Sequence, residues 1–194
     1  MIGVVILAGG QGRRMGGQDK GWCQLAGKAF IEIVLEKLER QVSLLNQPVQ
    51  IVISANRNIE QYRQFGVPVI TDLRDGFQGP LAGVETALNY GLKNDISIWI
   101  TCPIDCLQLP DDYLQKMSRN LSEKIVVWAQ NGRQHFSHMR LTTKSFTVLQ
   151  DYLSDQNSIK GFLYQQGHNQ QFASDSIESD NWLFNVNGIE ALQV

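Results

Sequence analysis

The chain has 194 residues, which is long enough for one α/β domain with a full hydrophobic core. Apolar residues make up 43% and charged residues 19%, as in an ordinary globular protein. The net charge of −2 argues against a general nucleic-acid binder, which would carry a basic excess. A nucleotide site stays open, because it needs only a local basic cluster.

Short apolar runs alternate with helical patterns along the first half of the chain. The predicted strands and helices, in chain order, are 2–7 (strand), 29–42 (helix), 50–54 (strand), 58–65 (helix), 67–71 (strand), 79–90 (helix) and 96–101 (strand). This order predicts an α/β fold, a three-layer α/β/α Rossmann-like domain around a mostly parallel sheet.

The second half of the chain has a less regular pattern. Its predicted elements are 125–129 (strand), 144–153 (helix), 159–166 (helix), 181–187 (strand or turn) and 188–192 (helix), with an acidic loop at 174–180. No linker or repeat divides the chain, so we expect a single domain over residues 1–194.

Cysteine content and hydropathy indicate the compartment. The three cysteines are Cys23, Cys102 and Cys106. Because they are few and their number is odd, they do not suggest a disulfide scaffold. No second Cys or His pair with zinc spacing accompanies them. The apolar run at 2–8 lacks a basic flank, and no window approaches the roughly 18 apolar residues of a membrane span. We expect a cytoplasmic protein without a membrane partner.

Each predicted strand of the first half ends in small or polar residues. These clusters lie at 8–10, 54–56, 71–72 and 102–105. Ligands of open α/β sheets bind at the carboxyl ends of the strands, so the four clusters predict a site at one sheet edge.

The first of these strand ends continues into a glycine-rich loop over residues 7–20. Glycines after a strand let backbone N–H groups turn inward and bind an anion. The loop is not a P-loop, because Gln18 follows Gly17 where a P-loop has lysine. It is not a dinucleotide fingerprint either, because Met15 stands where the third glycine is required.

Three cations, Arg13, Arg14 and Lys20, lie within this loop. Arginine can hold phosphate oxygens at two points, and lysine supplies a mobile point charge. A flexible loop with solvated charges is the alternative, but the position after the first strand favours a phosphate site.

The loop also carries a family resemblance. The segments Leu7-Ala-Gly-Gly10, Arg14-Met-Gly16 and Asp19-Lys20 resemble the opening motif of the NTP-transferase superfamily. The details Arg-Met-Gly-Gly and Asp-Lys-Gly are most similar to the molybdenum cofactor guanylyltransferase family, whose bacterial members are usually called MobA.

Further segments resemble that family in the same order along the chain. They are Gly79-Pro-Leu-Ala-Gly83, Cys102-Pro-Ile-Asp105 and Phe184-Asn-Val-Asn187. The resemblance implies transfer of GMP from GTP to the terminal phosphate of molybdopterin, with release of pyrophosphate. It implies a nucleotide-binding part at 1–110 and an acceptor-binding part at 111–194.

The resemblance also implies cofactors and partners. The cofactor is Mg²⁺, and the partners are GTP and molybdopterin, together with other cofactor-biosynthesis proteins and molybdoenzyme chaperones. We expect a monomer or weak oligomer and no nucleic-acid partner.

The resemblance to the family also implies the site residues. Expected to be catalytic are Lys20, Arg14 and Asp105, with Asp105 as the metal ligand. The nucleotide-binding set is Leu7, Ala8, Gly9, Gly10, Lys20, Ser54, Asn56, Asp72, Gly83 and Asp105. One or two carboxylates suffice for magnesium, which keeps several waters.

Three of these positions have a plain structural alternative. Asp105 could be a helix cap or turn residue near Pro110, and Asp72 a turn aspartate. Gly83 could serve only packing, at a cost of about 1 kcal/mol relative to Ala inside a helix.

Base recognition departs from the family pattern. The family has Asn-x-Asn at the end of the second strand, whereas this chain has Ser54-Ala-Asn56. The Ser54 side chain has one hydroxyl where asparagine has both a donor and an acceptor for the guanine base. The departure therefore leaves the strictness of GTP selection open.

Acceptor-binding residues are expected in the second half. Asn185 and Asn187 alternate, so on an extended segment they face one side, although a turn-forming pair is the alternative. His135 is expected to touch the pterin. A metal pair is the alternative for His135 and His138, but a surface loop near the acceptor is the preferred interpretation.

Two rival functions stay open at this point. A cytidylyl- or uridylyltransferase would use the same phosphate-binding residues. A nucleotide-binding module without catalysis would usually have lost the lysine or the metal aspartate, whereas Lys20 and Asp105 are both present.

Overall fold

The computed structural model describes residues 1–12, 16–119, 124–130 and 132–172, with only the backbone for 171 and 172. The strands are β1 (Ile2–Leu7), β2 (Gln24–Leu25), β3 (Lys28–Ala29), β4 (Val49–Ser54), β5 (Val69–Ile70), β6 (Ile98–Pro103), β7 (Ile125–Gln130), β8 (Arg133–Thr142) and β9 (His168–Phe172). The helices are α1 (Phe30–Val42), α2 (Ile59–Arg63), α3 (Pro80–Lys93), α4 (Tyr113–Met117), α5 (Phe146–Asp155) and α6 (Ile159–Gln166), with 3-10 turns at Lys20–Trp22 and Thr143–Ser145.

The main sheet has seven strands in the order β5-β4-β1-β6-β8-β7-β9. Strands β5, β4, β1 and β6 are parallel to one another, and β9 is parallel to β7. Strand β8 runs antiparallel to both of its neighbours. The expected mostly parallel α/β sheet is therefore confirmed.

The two faces of the sheet are covered by different helices, which completes the three layers. Along β1 the side chains alternate, because successive residues of a strand point to opposite faces. Val4 and Ile6 join the core cluster that contains the buried residues of α1. Val5 and Leu7 join the cluster formed with α3, α5 and α6.

The predicted elements of the first half agree with the structure within a few residues, apart from a shorter third strand. The stretch 67–71 is reduced to the two residues of β5. In the second half, α6 has the predicted bounds, whereas β8, β9 and the short helix α4 were not predicted. The segments predicted at 174–180, 181–187 and 188–192 lie outside the described residues.

The prediction that His135 and His138 lie in a surface loop is wrong. Both belong to β8, which is paired on both sides, and His138 is only 1% exposed. The ring of His138 lies edge-on to that of Tyr113, with centroids 5.5 Å apart. The strand carries polar side chains without a period-two pattern, so its burial left little trace in the sequence.

The chain changes direction across the sheet at β1. Helix α1 leads from β1 towards β4 on one side, whereas α3 leads from β5 to β6 on the other side of β1. The carboxyl ends of the strands then open a crevice at this switch point, where α/β sheets bind their ligands. Within the described ranges, no helix is long and apolar enough to cross a membrane.

Candidate active site

A cleft of about 260 Å³ opens at the carboxyl ends of β1, β4 and β6. The predicted nucleotide-binding residues that line it are Leu7, Ala8, Gly9, Gly10, Lys20, Ser54, Asp72, Gly83 and Asp105. Asn56 lines an adjoining cleft of about 660 Å³, which shares Gly9, Gly10 and Asp72 with the first. The fold thus brings the whole predicted set to one edge of the sheet.

The glycine-rich loop closes on itself at a neck formed by Gly12, Gly17 and Gln18. Gly12 has a φ of +63°, and a Cβ there would lie 1.9 Å from the Gln18 carbonyl oxygen. The Gly17 N–H donates to the Gly12 carbonyl oxygen at 3.0 Å. Only glycine fits at position 12, because a side chain would force apart the two chain segments that meet at the neck.

Lys20 and Asp105 meet at the cleft although 85 residues separate them. The Lys20 Nζ donates to the Asp105 Oδ2 at 2.7 Å, and their side chains are 19% and 12% exposed. Asp105 does not cap a helix, because α4 begins only at Tyr113 and follows Asp112. The pair places an ammonium group and a carboxylate side by side at the sheet edge.

The residue before Lys20 is held by a network that sequence reasoning missed. The buried Asp19 carboxylate accepts from the Gly21 N–H at 3.1 Å, from the Tyr62 hydroxyl at 2.8 Å and from the Asn58 Nδ2 at 3.0 Å. Burial, together with the charge of Asp19, raises the pKa of Tyr62 above its ordinary value, so this hydroxyl stays a donor. The network fixes the backbone that carries Lys20.

Asn56 and Asp72 form a two-point contact at the other end of the cleft. The Asn56 Nδ2 donates to the Asp72 Oδ2 at 2.7 Å, and the Asp72 N–H donates to the Asn56 Oδ1 at 2.9 Å. The Asp72 Oδ1 is buried and accepts no hydrogen bond from the described residues. Burial raises the pKa of Asp72, while the Asn56 hydrogen bond opposes that rise. An unsatisfied buried acceptor in a cleft is a site for a ligand donor.

Gly83 lets α3 pack closely against the strand ends. A Cβ at this position would lie 2.6 Å from the Ser54 Oγ and 3.0 Å from the Leu7 Cδ2. Packing therefore accounts for this glycine, and its backbone also lines the cleft.

Two further lining residues, Phe77 and Ser137, were not singled out from the sequence. Phe77 borders both clefts and is 45% exposed. Its position in the sequence, between Asp72 and the start of α3 at Gly79-Pro80, could have indicated that it lines the cleft. Ser137 comes from β8 and gave no signal, because that strand was not predicted.

The described residues limit what metal the site can hold. They contain no cluster of three or more His, Cys, Asp or Glu side chains suited to a metal ion. The three cysteines are buried free thiols. The Asp105 carboxylate beside the glycine-rich loop fits magnesium, which binds through one or two carboxylates plus substrate phosphates and water.

The expected acceptor residues are only partly visible. His135 is half-buried in β8, and its ring centroid lies 6.4 Å from that of His138. Burial lowers the pKa of His135, with a smaller contribution from Arg133. Its strand neighbour Ser137, two residues on, lines the cleft. Arg14, Asn185 and Asn187 lie outside the described residues.

A glycine-rich loop, a lysine–carboxylate pair and polar strand ends on an open α/β sheet define a nucleotide-binding protein of the nucleotidyltransferase type. The comparison with known families agrees with this class. Residues 4–170 match the model of the MobA-like NTP transferase domain, and the chain belongs to that family.

Relatives of similar length share a third or more of the sequence. The molybdenum cofactor guanylyltransferase of Mannheimia succiniciproducens is 37% identical over 194 residues, covering 98% of this chain and 96% of that protein. The protein of the same name from Yersinia pestis strain Pestoides F is 38% identical over 153 residues, covering 77% and 72%.

Solved structures share the fold at lower identity. Molybdopterin-guanine dinucleotide biosynthesis protein A from Archaeoglobus fulgidus superposes with a TM-score of 0.74 at 21% identity, covering 99% of this chain and 95% of that one. The 4-diphosphocytidyl-2C-methyl-D-erythritol synthase of Anaerococcus prevotii reaches 0.71 at 11% identity, covering 99% and 92%. At these identities the superpositions establish the fold alone.

Proposed function

We propose that this protein transfers GMP from GTP to the terminal phosphate of molybdopterin, forming the guanine dinucleotide cofactor and pyrophosphate. The observation that carries the proposal is the Lys20–Asp105 pair, with 2.7 Å between Nζ and Oδ2, in a cleft bordered by the glycine-rich loop. The names of the relatives from Mannheimia and Yersinia support the same reaction.

The chemistry is a displacement at the α-phosphorus of GTP. An oxygen of the terminal phosphate of molybdopterin forms the new bond, and the bond from the α-phosphorus to the bridging oxygen breaks. Pyrophosphate leaves with that oxygen, and Lys20 and Arg14 compensate its growing charge. A phosphate nucleophile is already ionised at neutral pH, so the reaction needs no general base.

The loop and Lys20 hold the β- and γ-phosphates, and Asp105 would hold Mg²⁺. The ion would supply charge neutralisation where two anions must approach. Asp105 is the residue of the described chain best placed for it, because it follows β6 at the cleft and is nearly buried.

The guanine end of the site lies at Asn56 and Asp72. The buried Asp72 Oδ1 lacks a partner among the described residues, and guanine presents N–H donors on its Watson–Crick edge. Ser54, only 1% exposed, offers one hydroxyl beside Gly83. These features favour a base that donates to a carboxylate.

The acceptor would be bound by the second half of the chain, residues 111–194, with His135, Asn185 and Asn187 as its contacts. Residues 1–110 would bind the nucleotide within the same single domain. We place the reaction in the cytoplasm, with the protein as a monomer or weak oligomer that exchanges its product with other cofactor-biosynthesis proteins and chaperones.

The test measures pyrophosphate release with molybdopterin, Mg²⁺ and each of the four nucleoside triphosphates. We expect GTP to be the preferred substrate. A strong preference for CTP or UTP would assign the protein to another nucleotidyltransferase reaction. No release with any nucleotide would favour a binding module without catalysis.

A further inference from the structure

Arg57 is an exposed residue that none of the motifs includes, yet it contacts the glycine-rich loop at three points. Its Nη1 donates to the Gly17 carbonyl oxygen at 2.8 Å. Its Nη2 donates to the Gly10 carbonyl oxygen at 2.9 Å and to that of Gln18 at 3.5 Å. One guanidinium therefore joins the start of the loop to its end.

The position of Arg57 in the chain explains this reach. It directly follows Asn56, the strand-end residue that is bonded to Asp72. It directly precedes Asn58, whose amide holds Asp19 at 3.0 Å. The short segment 56–58 after β4 therefore contacts the base end of the cleft, the neck of the loop and the residue before Lys20.

The three groups that Arg57 binds are backbone carbonyls, which cannot themselves hold an anion. A backbone carbonyl directed at a phosphate would repel it, whereas the N–H groups of the same loop attract it. A planar guanidinium with fixed donors can hold several carbonyls at once, which a lysine ammonium on a flexible stem cannot do in the same geometry.

We infer that Arg57 is a positioning residue, which holds the neck of the glycine-rich loop closed so that the loop can bind the β- and γ-phosphates. The inference rests on the proposed function and assigns Arg57 no contact with substrate. Its consequence is selective: losing Arg57 weakens the binding of ligands that carry a β-phosphate and spares those that do not.

The test compares Arg57→Ala with Arg63→Ala in the full-length protein. Arg63 is also an exposed arginine, six residues later, and pairs with Glu60 on the same helix. Dissociation constants are measured by calorimetry for GTP, GDP, GMP and inorganic triphosphate. We expect Arg57→Ala to weaken the binding of GTP, GDP and triphosphate about 10-fold, which is the scale of losing a few exposed hydrogen bonds. GMP binding should stay within about twofold of the wild type, and Arg63→Ala should resemble the wild type throughout.

A second variant, Arg57→Lys, separates positioning from a direct charge contact. Lysine keeps the positive charge but lacks the planar guanidinium with its fixed donors, so the affinity of this variant for GTP should lie close to that of Arg57→Ala. Full recovery by lysine would overturn the inference, because it would mean that only the charge matters. Equal weakening of GMP and GTP by Arg57→Ala would also overturn it. Either result leaves the proposed function standing, whereas failure of the wild type to bind GTP would contradict the proposed function itself.

Discussion

The two halves of the main sheet place their functional side chains in different ways. In the half formed by β5, β4, β1 and β6, all strands are parallel, so their carboxyl ends share one edge. In the other half, β8 runs against both β6 and β7. There the residue that lines the cleft, Ser137, lies within a strand and not after one.

The halves also differ in how their polar side chains are bonded. In the parallel half, four side chains at the two clefts form two pairs, Lys20 with Asp105 and Asn56 with Asp72. In the antiparallel half, both ring nitrogens of the buried His138 lack a partner among the described residues. We therefore expect the paired side chains of the parallel half to serve a ligand, whereas His138 is packed in the core.

The largest effect is expected at the lysine–carboxylate pair. Lys20→Ala and Asp105→Ala should each lower turnover at least about 100-fold, because each removes a charge that stabilises the transition state. The rate of pyrophosphate release from GTP measures this. Lys28→Ala is the matched control, since Lys28 is a half-buried lysine paired with Glu36 outside the cleft. Near-normal rates in both cleft variants would show that the chemistry lies elsewhere.

A middle-sized effect is expected from two glycines of α3. A Cβ at Gly83 would meet the Ser54 Oγ at 2.6 Å, and a Cβ at Gly91 would meet the Trp99 Nε1 at 2.5 Å. Gly83→Ala and Gly91→Ala should each destabilise the fold by about 1–3 kcal/mol, as overpacking does. Only Gly83→Ala should raise the KM for GTP, because only Gly83 lines the cleft.

Urea unfolding and steady-state kinetics on the same two preparations check this contrast. A similar rise in KM in the Gly91 variant would mean that general strain in α3, and not the position at the cleft, controls nucleotide binding.

The last effect is confined to acid pH and concerns stability in the antiparallel half. Burial lowers the pKa of His138 to about 3, with a smaller contribution from His135. The unfolded imidazole takes up a proton below about pH 6.5, whereas the folded one does so only near pH 3, so stability falls as the pH drops through that window. By this linkage the loss between pH 7 and pH 5 is about 2 kcal/mol.

Replacing His138 by phenylalanine removes this titration while keeping a ring among its neighbours. Urea unfolding at pH 7 and pH 5 should show a smaller acid-induced loss of stability in His138→Phe than in the wild type, with turnover at pH 7 largely unchanged. An equal loss in both proteins would mean that other groups account for the acid sensitivity.

The same contrast explains what the sequence could reveal. Parallel strands buried on both faces are continuous apolar runs, such as residues 2–7, and their polar ends stand out. From these ends the sheet edge, the loop and the Lys20 and Asp105 positions could be predicted. Strand β8 could not be predicted, because its polar residues and its irregular pairing with β7 leave no alternation of apolar and polar residues in the sequence.

Contacts between distant segments could not be predicted for a different reason. Arg57 stands one residue beyond the polar cluster predicted at 54–56, but its three carbonyl partners lie 39 to 47 residues earlier in the chain. Likewise, the bond between Tyr62 and Asp19 depends on how α2 packs near the loop. Backbone carbonyls carry no sequence signal, so only the folded chain reveals such contacts.

The most direct test of the central claim is the mass of the product formed from GTP and molybdopterin by the purified protein with Mg²⁺. We predict one GMP group added to each molybdopterin and one pyrophosphate released for each transfer. Unmodified molybdopterin, or GTP converted to GDP and phosphate, would contradict it.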